Sequence, residues 1–162
     1  EIMICAIVTS LNLFNSDVIC KHEKEIFEKS KENKIDPLFY TALLWTESRF
    51  TPDAVSKSKA CGISQVLPKY TDPKVNCDDL KNPKVGIKYG AKALSFWYYS
   101  YAKGNKKIAI CAYNMGYRCK GEGGVKPEDT TGYVYAKHVM KVYRRFAREK
   151  RKLNKLKEKS KK

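Results

Sequence analysis

Two Asx-Pro pairs, Asp36-Pro37 and Asn82-Pro83, set the first limits on what this chain can fold into. An Asp or Asn side chain accepts from the free N–H groups that open a helix. Pro is already set for the first helical turn, so each pair marks a helix start. Behind the first pair, Leu38, Ala42 and Trp45 recur at i, i+4 and i+7, which gives one buried stripe. Pro52 disfavours helix at Thr51, so this helix stops near Phe50. Behind the second pair, Val85, Tyr89, Leu94, Trp97 and Tyr101 predict the longest helix of the chain, running to about Ala102 and ended by Gly104-Asn105. Gly86 and Gly90, four residues apart on it, let another helix approach closely.

The other segments follow the same pattern. Residues 20–33 are polar around Ile26 and Phe27 and predict an amphipathic helix. Residues 51–81 carry Pro52, Gly62, Pro68 and Pro73 and read as loop, with room for a short hairpin within 56–81. Residues 106–113 predict another helix, broken near Gly116, and 117–131 a Gly-rich polar loop. Val139, Val142, Tyr143 and Phe146 share one face of a final helix over 135–148. With no strong alternation anywhere, the expected fold is mainly α, a compact bundle of short helices with at most a small hairpin.

At 162 residues and 43% hydrophobic composition the chain suits one domain with a real core and is not expected to be disordered. Its charge, 33 Lys and Arg against 17 Asp and Glu, speaks to partners: nucleic acid, an anionic membrane surface or an anionic wall polymer. Of the net +16, residues 148–162 contribute nine basic and two acidic groups, a basic tail of +7. Six cysteines in so short a chain favour an oxidising compartment. None has C-x-x-C spacing and both histidines are remote from them in sequence, so no metal site is expected. Residues 2–14 are apolar and uncharged, too short to span a bilayer, which takes about 20 residues. Residues 1–19 read as an export leader or apolar anchor, with a first core element as the alternative. Removing them would take Cys5 and leave five cysteines.

Chemistry is concentrated in four short segments. Glu47 lies in the last turn of an otherwise apolar helix, where desolvation can raise its pKa and make it a general acid near neutral pH. Gly62-Ile63-Ser64-Gln65, Ala112-Tyr113-Asn114-Met115-Gly116 and Gly132-Tyr133-Val134 each place small or polar groups at an element boundary. Gln65 and Asn114 offer amides, and Tyr113 and Tyr133 offer hydroxyls with an aromatic face.

In order and spacing these segments resemble the soluble lytic transglycosylase family of bacterial and phage enzymes. Glu47-Ser48 matches its Glu-Ser, Gly62–Gln65 its Gly-Leu-Met-Gln, Ala112–Gly116 its Ala-Tyr-Asn-Ala-Gly, and Tyr133-Val134 its Tyr-Val. Ser64 stands where Met is usual and Met115 where Ala is usual. The resemblance covers about residues 20–147 and implies an α+β lysozyme-like catalytic domain over 20–147, followed by the basic tail at 148–162. It implies Glu47 as the catalytic residue, with Ser48 and Ser64 holding Glu47 or the substrate's N-acetyl group. Gln65, Tyr113 and Asn114 would orient the glycan, and Tyr133 would contact Glu47 and help set its pKa. The cysteines fit this frame: Cys61 and Cys77 flank the loop after the second motif and Cys111 and Cys119 the third. Each pair would close a short loop, worth about 3 kcal/mol in the chain-entropy picture.

A retaining glycosidase needs two carboxylates about 5 Å apart. No second Asp or Glu falls in the matching motifs, and Asp53 reads as a turn residue after Pro52. The resemblance therefore implies acid/base work by Glu47 alone on the bond between N-acetylmuramic acid (MurNAc) and N-acetylglucosamine (GlcNAc), closing a 1,6-anhydro ring with no cofactor. The expected partner is the peptidoglycan glycan strand, met by an exported monomer in the periplasm or cell envelope, or on a phage particle. The tail would face an anionic wall or membrane surface, and no specific nucleic-acid partner is expected, because no recognised motif accompanies the charge. Competing readings are a hydrolase on the same fold (a goose-type lysozyme or phage endolysin) and a wall-binding module without catalysis.

Overall fold

The computed structural model describes residues 3–120 and 126–162. Among them are seven α-helices: α1 (Ile4–Ser10), α2 (Ser16–Glu32), α3 (Pro37–Ser48), α4 (Cys77–Leu80), α5 (Pro83–Ser95), α6 (Lys106–Met115) and α7 (Thr131–Lys159). Two isolated antiparallel bridges, Val55 with Cys61 and Cys61 with Val66, are what the described residues show of a hairpin. The fold is mainly α, as expected. Residues 121–125, inside the expected 117–131 loop, lie outside the described residues, as do Glu1 and Ile2.

Both Asx-Pro starts form as read. The Asp36 carboxylate accepts from the Leu38 N–H at 2.8 Å, and the Asn82 side chain accepts from the Lys84 N–H at 3.1 Å. What they open differs from expectation. Instead of one stripe, α3 buries every residue from Leu38 to Leu44, while Trp45 is half-buried. A helix apolar all round belongs at the centre of a fold, and α3 packs against both α2 and α7.

The helix from Pro83 is not the longest. It ends at Ser95 and continues as a π-turn, Phe96–Tyr101, in which the Ala102 N–H reaches back to the Trp97 carbonyl at 2.8 Å. Five aromatic residues crowd this run, and the wider turn lets Trp97 meet Tyr101 edge-on with ring centres 5.4 Å apart. The longest helix is α7, at 29 residues. It starts four residues before the expected 135 because Thr130 caps it, its hydroxyl accepting from the Tyr133 N–H at 3.2 Å. It runs on through the basic segment because residues 148–159 hold neither Gly nor Pro and are mostly strong helix formers.

Residues 4–10 of the apolar N-terminal stretch form α1, and Ile4, Ile7 and Val8 are buried in the main core. The Glu23 carboxylate caps this helix by accepting from the Cys5 N–H, and Ser10 donates to Glu149 of α7 at 2.6 Å. Cys5 pairs with Cys20, alongside the expected Cys61–Cys77 and Cys111–Cys119.

A close contact joins α3, α5 and the second motif at Gly90. A Cβ there would lie 2.4 Å from the Ser64 Cβ and 2.5 Å from the Tyr40 hydroxyl. Neither neighbour can give way: Ser64 Oγ donates to the Gly86 carbonyl at 2.7 Å, and Tyr40 donates to the Ile87 carbonyl at 2.6 Å, both buried. Gly90→Ala is therefore expected to lose about 3 kcal/mol by overpacking, read as a lower midpoint in urea unfolding. An unchanged midpoint would show that the three groups do not meet.

Candidate active site

The site forms where the buried length of α3 ends. After seven buried residues the helix passes Trp45 and Thr46, and Glu47 stands half-buried one residue from its end. Burial pushes the Glu47 carboxyl from the ordinary 4.5 up to about 7. Against this, the Tyr135 hydroxyl on α7 favours the charged form, although it stops short of full hydrogen-bond geometry. Tyr135 is itself pushed well up, first by burial and then by the Glu47 charge. Tyr113 on α6 is raised by burial and next by the same charge. Among the described residues no second carboxylate perturbs Glu47, and none form a cluster of three or more His, Cys, Asp or Glu suited to a metal ion.

The expected site residues divide by what their polar atoms reach. Ser48 and Ser64 were expected to hold Glu47 or a ligand. Instead, Ser48 Oγ donates to the Ile63 carbonyl at 2.7 Å, which fastens the end of α3 to the second motif. Ser64 is fully buried and turned onto Gly86. Tyr113 donates to the Ser64 carbonyl at 2.6 Å, so the third motif is fastened to the second. Gln65 has positive φ, and its Nε2 donates to the Ala54 and Gly62 carbonyls at 3.0 and 2.9 Å, leaving Oε1 for other partners. Asn114 is exposed, and its side chain makes no hydrogen bond among the described residues. Each of these hydroxyls donates to a backbone carbonyl rather than to the Glu47 carboxyl.

Tyr133 is the clearest departure. Its ring lies between the ammonium groups of Lys107 and Lys137, at 5.9 and 5.5 Å, and the tyrosine that meets Glu47 is Tyr135. Two residues apart on a helix is about 200°, so the two rings leave opposite sides of α7. A signal for Tyr135 was present in the sequence. It stands four residues before Val139, seven before Val142 and eleven before Phe146, on the same inward stripe. Both departures from the family motifs are packing positions. Ser64 is the small residue that Gly90 and Tyr40 leave room for, and the Met115 sulfur lies over Gly132, 2.5 Å from where a Cβ would sit.

A half-buried carboxyl with this pKa is a proton donor and acceptor matched to neutral pH. Its raised pKa also couples it to stability. Holding the proton contributes stability that is full below about 4.5 and is lost as pH rises through about 7. Glu47→Gln, uncharged throughout, should match the wild type near pH 4 and exceed it by about 1–3 kcal/mol at pH 8. Thermal unfolding across that range is the check. A difference that does not change with pH would contradict the raised pKa.

The Transglycosylase SLT domain family matches residues 24–133, an interval that holds Glu47 and all four motif starts. No curated protein matches the chain. Among solved structures, an inactive mutant of the lytic transglycosylase Slt from Pseudomonas aeruginosa aligns with a TM-score of 0.69 at 20% identity. The alignment covers 93% of this chain but 30% of that one, so the likeness is one of fold over a minor part of a longer protein. With the family match extending over most of its length, this chain belongs to the SLT transglycosylase-domain family.

Proposed function

We propose that this domain is a peptidoglycan lytic transglycosylase that cleaves the β-1,4 bond between MurNAc and GlcNAc and leaves 1,6-anhydro-MurNAc ends. The observation that carries the reading is a single half-buried carboxyl, Glu47, raised to about 7 with no second carboxylate acting on it. Family membership supports the substrate class. Protonated Glu47 gives its proton to the glycosidic oxygen as that bond breaks. The N-acetyl oxygen of the same MurNAc closes on the anomeric carbon and takes the place of a nucleophilic carboxylate. Glu47, now charged and eased by the Tyr135 hydroxyl, removes the proton from the C6 hydroxyl. That oxygen attacks the anomeric carbon, releases the N-acetyl group and completes the anhydro ring. Water is not consumed, and Glu47 ends protonated as it began. Asn114 and the free Oε1 of Gln65 supply amide contacts to the glycan, and Tyr133 serves as a further contact on the groove.

The setting follows from the same reading. Three disulfides fit an exported protein in an oxidising compartment such as the periplasm or cell envelope, or one carried on a phage particle. Among the described residues no helix is long and apolar enough to cross a membrane. The basic end of α7 carries Arg148, Arg151, Lys152, Lys155 and Lys159 on one side without an ion pair among the described residues, a surface for anionic wall polymer or membrane. The enzyme acts as a monomer.

Digestion of purified peptidoglycan followed by mass analysis of the fragment ends is the test. Anhydro ends, about 1,000-fold fewer with Glu47→Gln, support the assignment. Reducing ends would make the domain a hydrolase, and binding without turnover would make it a wall-binding module.

A further inference from the structure

Directly beyond Glu47-Ser48 the chain holds a cation in a fixed place. Arg49 ends α3 in the left-handed region, at φ 53 and ψ 40, and Phe50 follows at φ 59. Two consecutive residues other than Gly in this region carry a conformational cost that persists only where the surroundings impose it. Here they do. The Arg49 carbonyl accepts from the Asn15 Nδ2 at 3.4 Å, and Phe50 is fully buried with its ring centre 5.1 Å from that of Trp45. The side chain is fixed as well. Its Nη1 donates to the Trp45 carbonyl at 3.0 Å, and its guanidinium carbon lies 4.8 Å from the centre of the Trp45 ring.

The remaining N–H groups of this guanidinium face solvent, and among the described residues Arg49 has no carboxylate partner. It is not paired with Glu47 either: a guanidinium on that carboxylate would pull its pKa down, and burial dominates instead. Its charge does reach the neighbouring Tyr135 hydroxyl. The domain thus presents a pre-oriented, unpaired fork of donors two residues from its acid. A planar guanidinium held this way is suited to a carboxylate, which it can meet through two parallel hydrogen bonds.

We infer that Arg49 binds a carboxylate carried on the muramoyl C3 substituent of the glycan, and so selects muramoyl-containing strands beside the scissile bond. The inference rests on the proposed substrate class. Two sources share the chemistry: the lactyl carboxylate itself, free in strands stripped of peptide, and the carboxylates of an attached peptide stem.

The experiment measures binding by calorimetry on the Glu47→Gln protein, alone and combined with Arg49→Gln or Arg49→Lys, so that cleavage plays no part. The probes are short glycan fragments bearing peptide stems, the same fragments stripped of peptide, and neutral GlcNAc oligomers. Arg49→Gln should weaken binding of the carboxylate-bearing fragments about tenfold and leave the neutral oligomers unchanged. Arg49→Lys, which keeps the charge but loses the fork, should fall between. A loss confined to stem-bearing fragments assigns the stem, and a loss in stripped fragments assigns the lactyl group. Equal weakening for the neutral oligomers, or no weakening with any probe, overturns the inference. Absence of binding by the Glu47→Gln parent to every glycan would overturn it together with the substrate class, a result separate from either of these.

Discussion

A carboxyl group at the edge of a core has to remain neutral or find donors, because burying its charge costs several kcal/mol. That constraint organises this domain. The buried length of α3 runs from Leu38 to Leu44, Trp45 is half-buried, and Glu47 comes two residues later, where the core gives way to solvent. Glu47 is neither paired with a cation nor fully hydrated, so it holds its proton at acid pH and shares it near neutrality. Chemistry that needs one group to give a proton and take one back requires this intermediate condition.

Hydrogen bonds between separate segments keep the carboxyl there. Ser48 bonds the end of α3 to Ile63, Tyr113 bonds α6 to Ser64, Ser64 bonds to Gly86 of α5, and Tyr40 bonds α3 to Ile87. Each link runs from a side-chain hydroxyl to a backbone carbonyl of another segment. Three disulfides add covalent ties. Cys61–Cys77 closes the loop after the second motif and Cys111–Cys119 the turn after the third, while Cys5–Cys20 joins α1 to α2. The polar groups of the motifs and of Arg49 therefore fall into two sets. Ser48, Ser64 and the hydroxyl of Tyr113 hold the frame, while Asn114, the Gln65 oxygen and Arg49 remain open to a ligand.

Much of this was legible in the sequence, for reasons that can be named. Asp36-Pro37 and Asn82-Pro83 are local signals whose capping bonds form within four residues, so they read correctly. The raised carboxyl was legible because Glu47 ends an apolar helix and three ordered motifs follow it. The orientation of hydroxyls was not. Whether Ser64 faces a ligand or the Gly86 carbonyl depends on how closely α5 approaches, and that is decided by Gly90 and Tyr40, more than 20 residues away on either side. The motif points to Tyr133 and carries no signal for Tyr135, whereas helical phase places Tyr135 on the stripe with Val139 and Phe146. The end of α7 was misplaced for another reason. A run of nine cations reads as a tail when weighed by charge, yet its residues are good helix formers and the helix continues through them.

The proposed chemistry depends on the ionisation of one side chain. Titration of the Glu47 carboxyl by carbon-13 NMR, assigned by its disappearance in Glu47→Gln, measures this directly. The expected midpoint is near 7, displaced well above the ordinary 4.5 by burial. A midpoint at or below 4.5 would mean that the carboxylate is hydrated or paired, and Glu47 could not then serve as both acid and base at neutral pH.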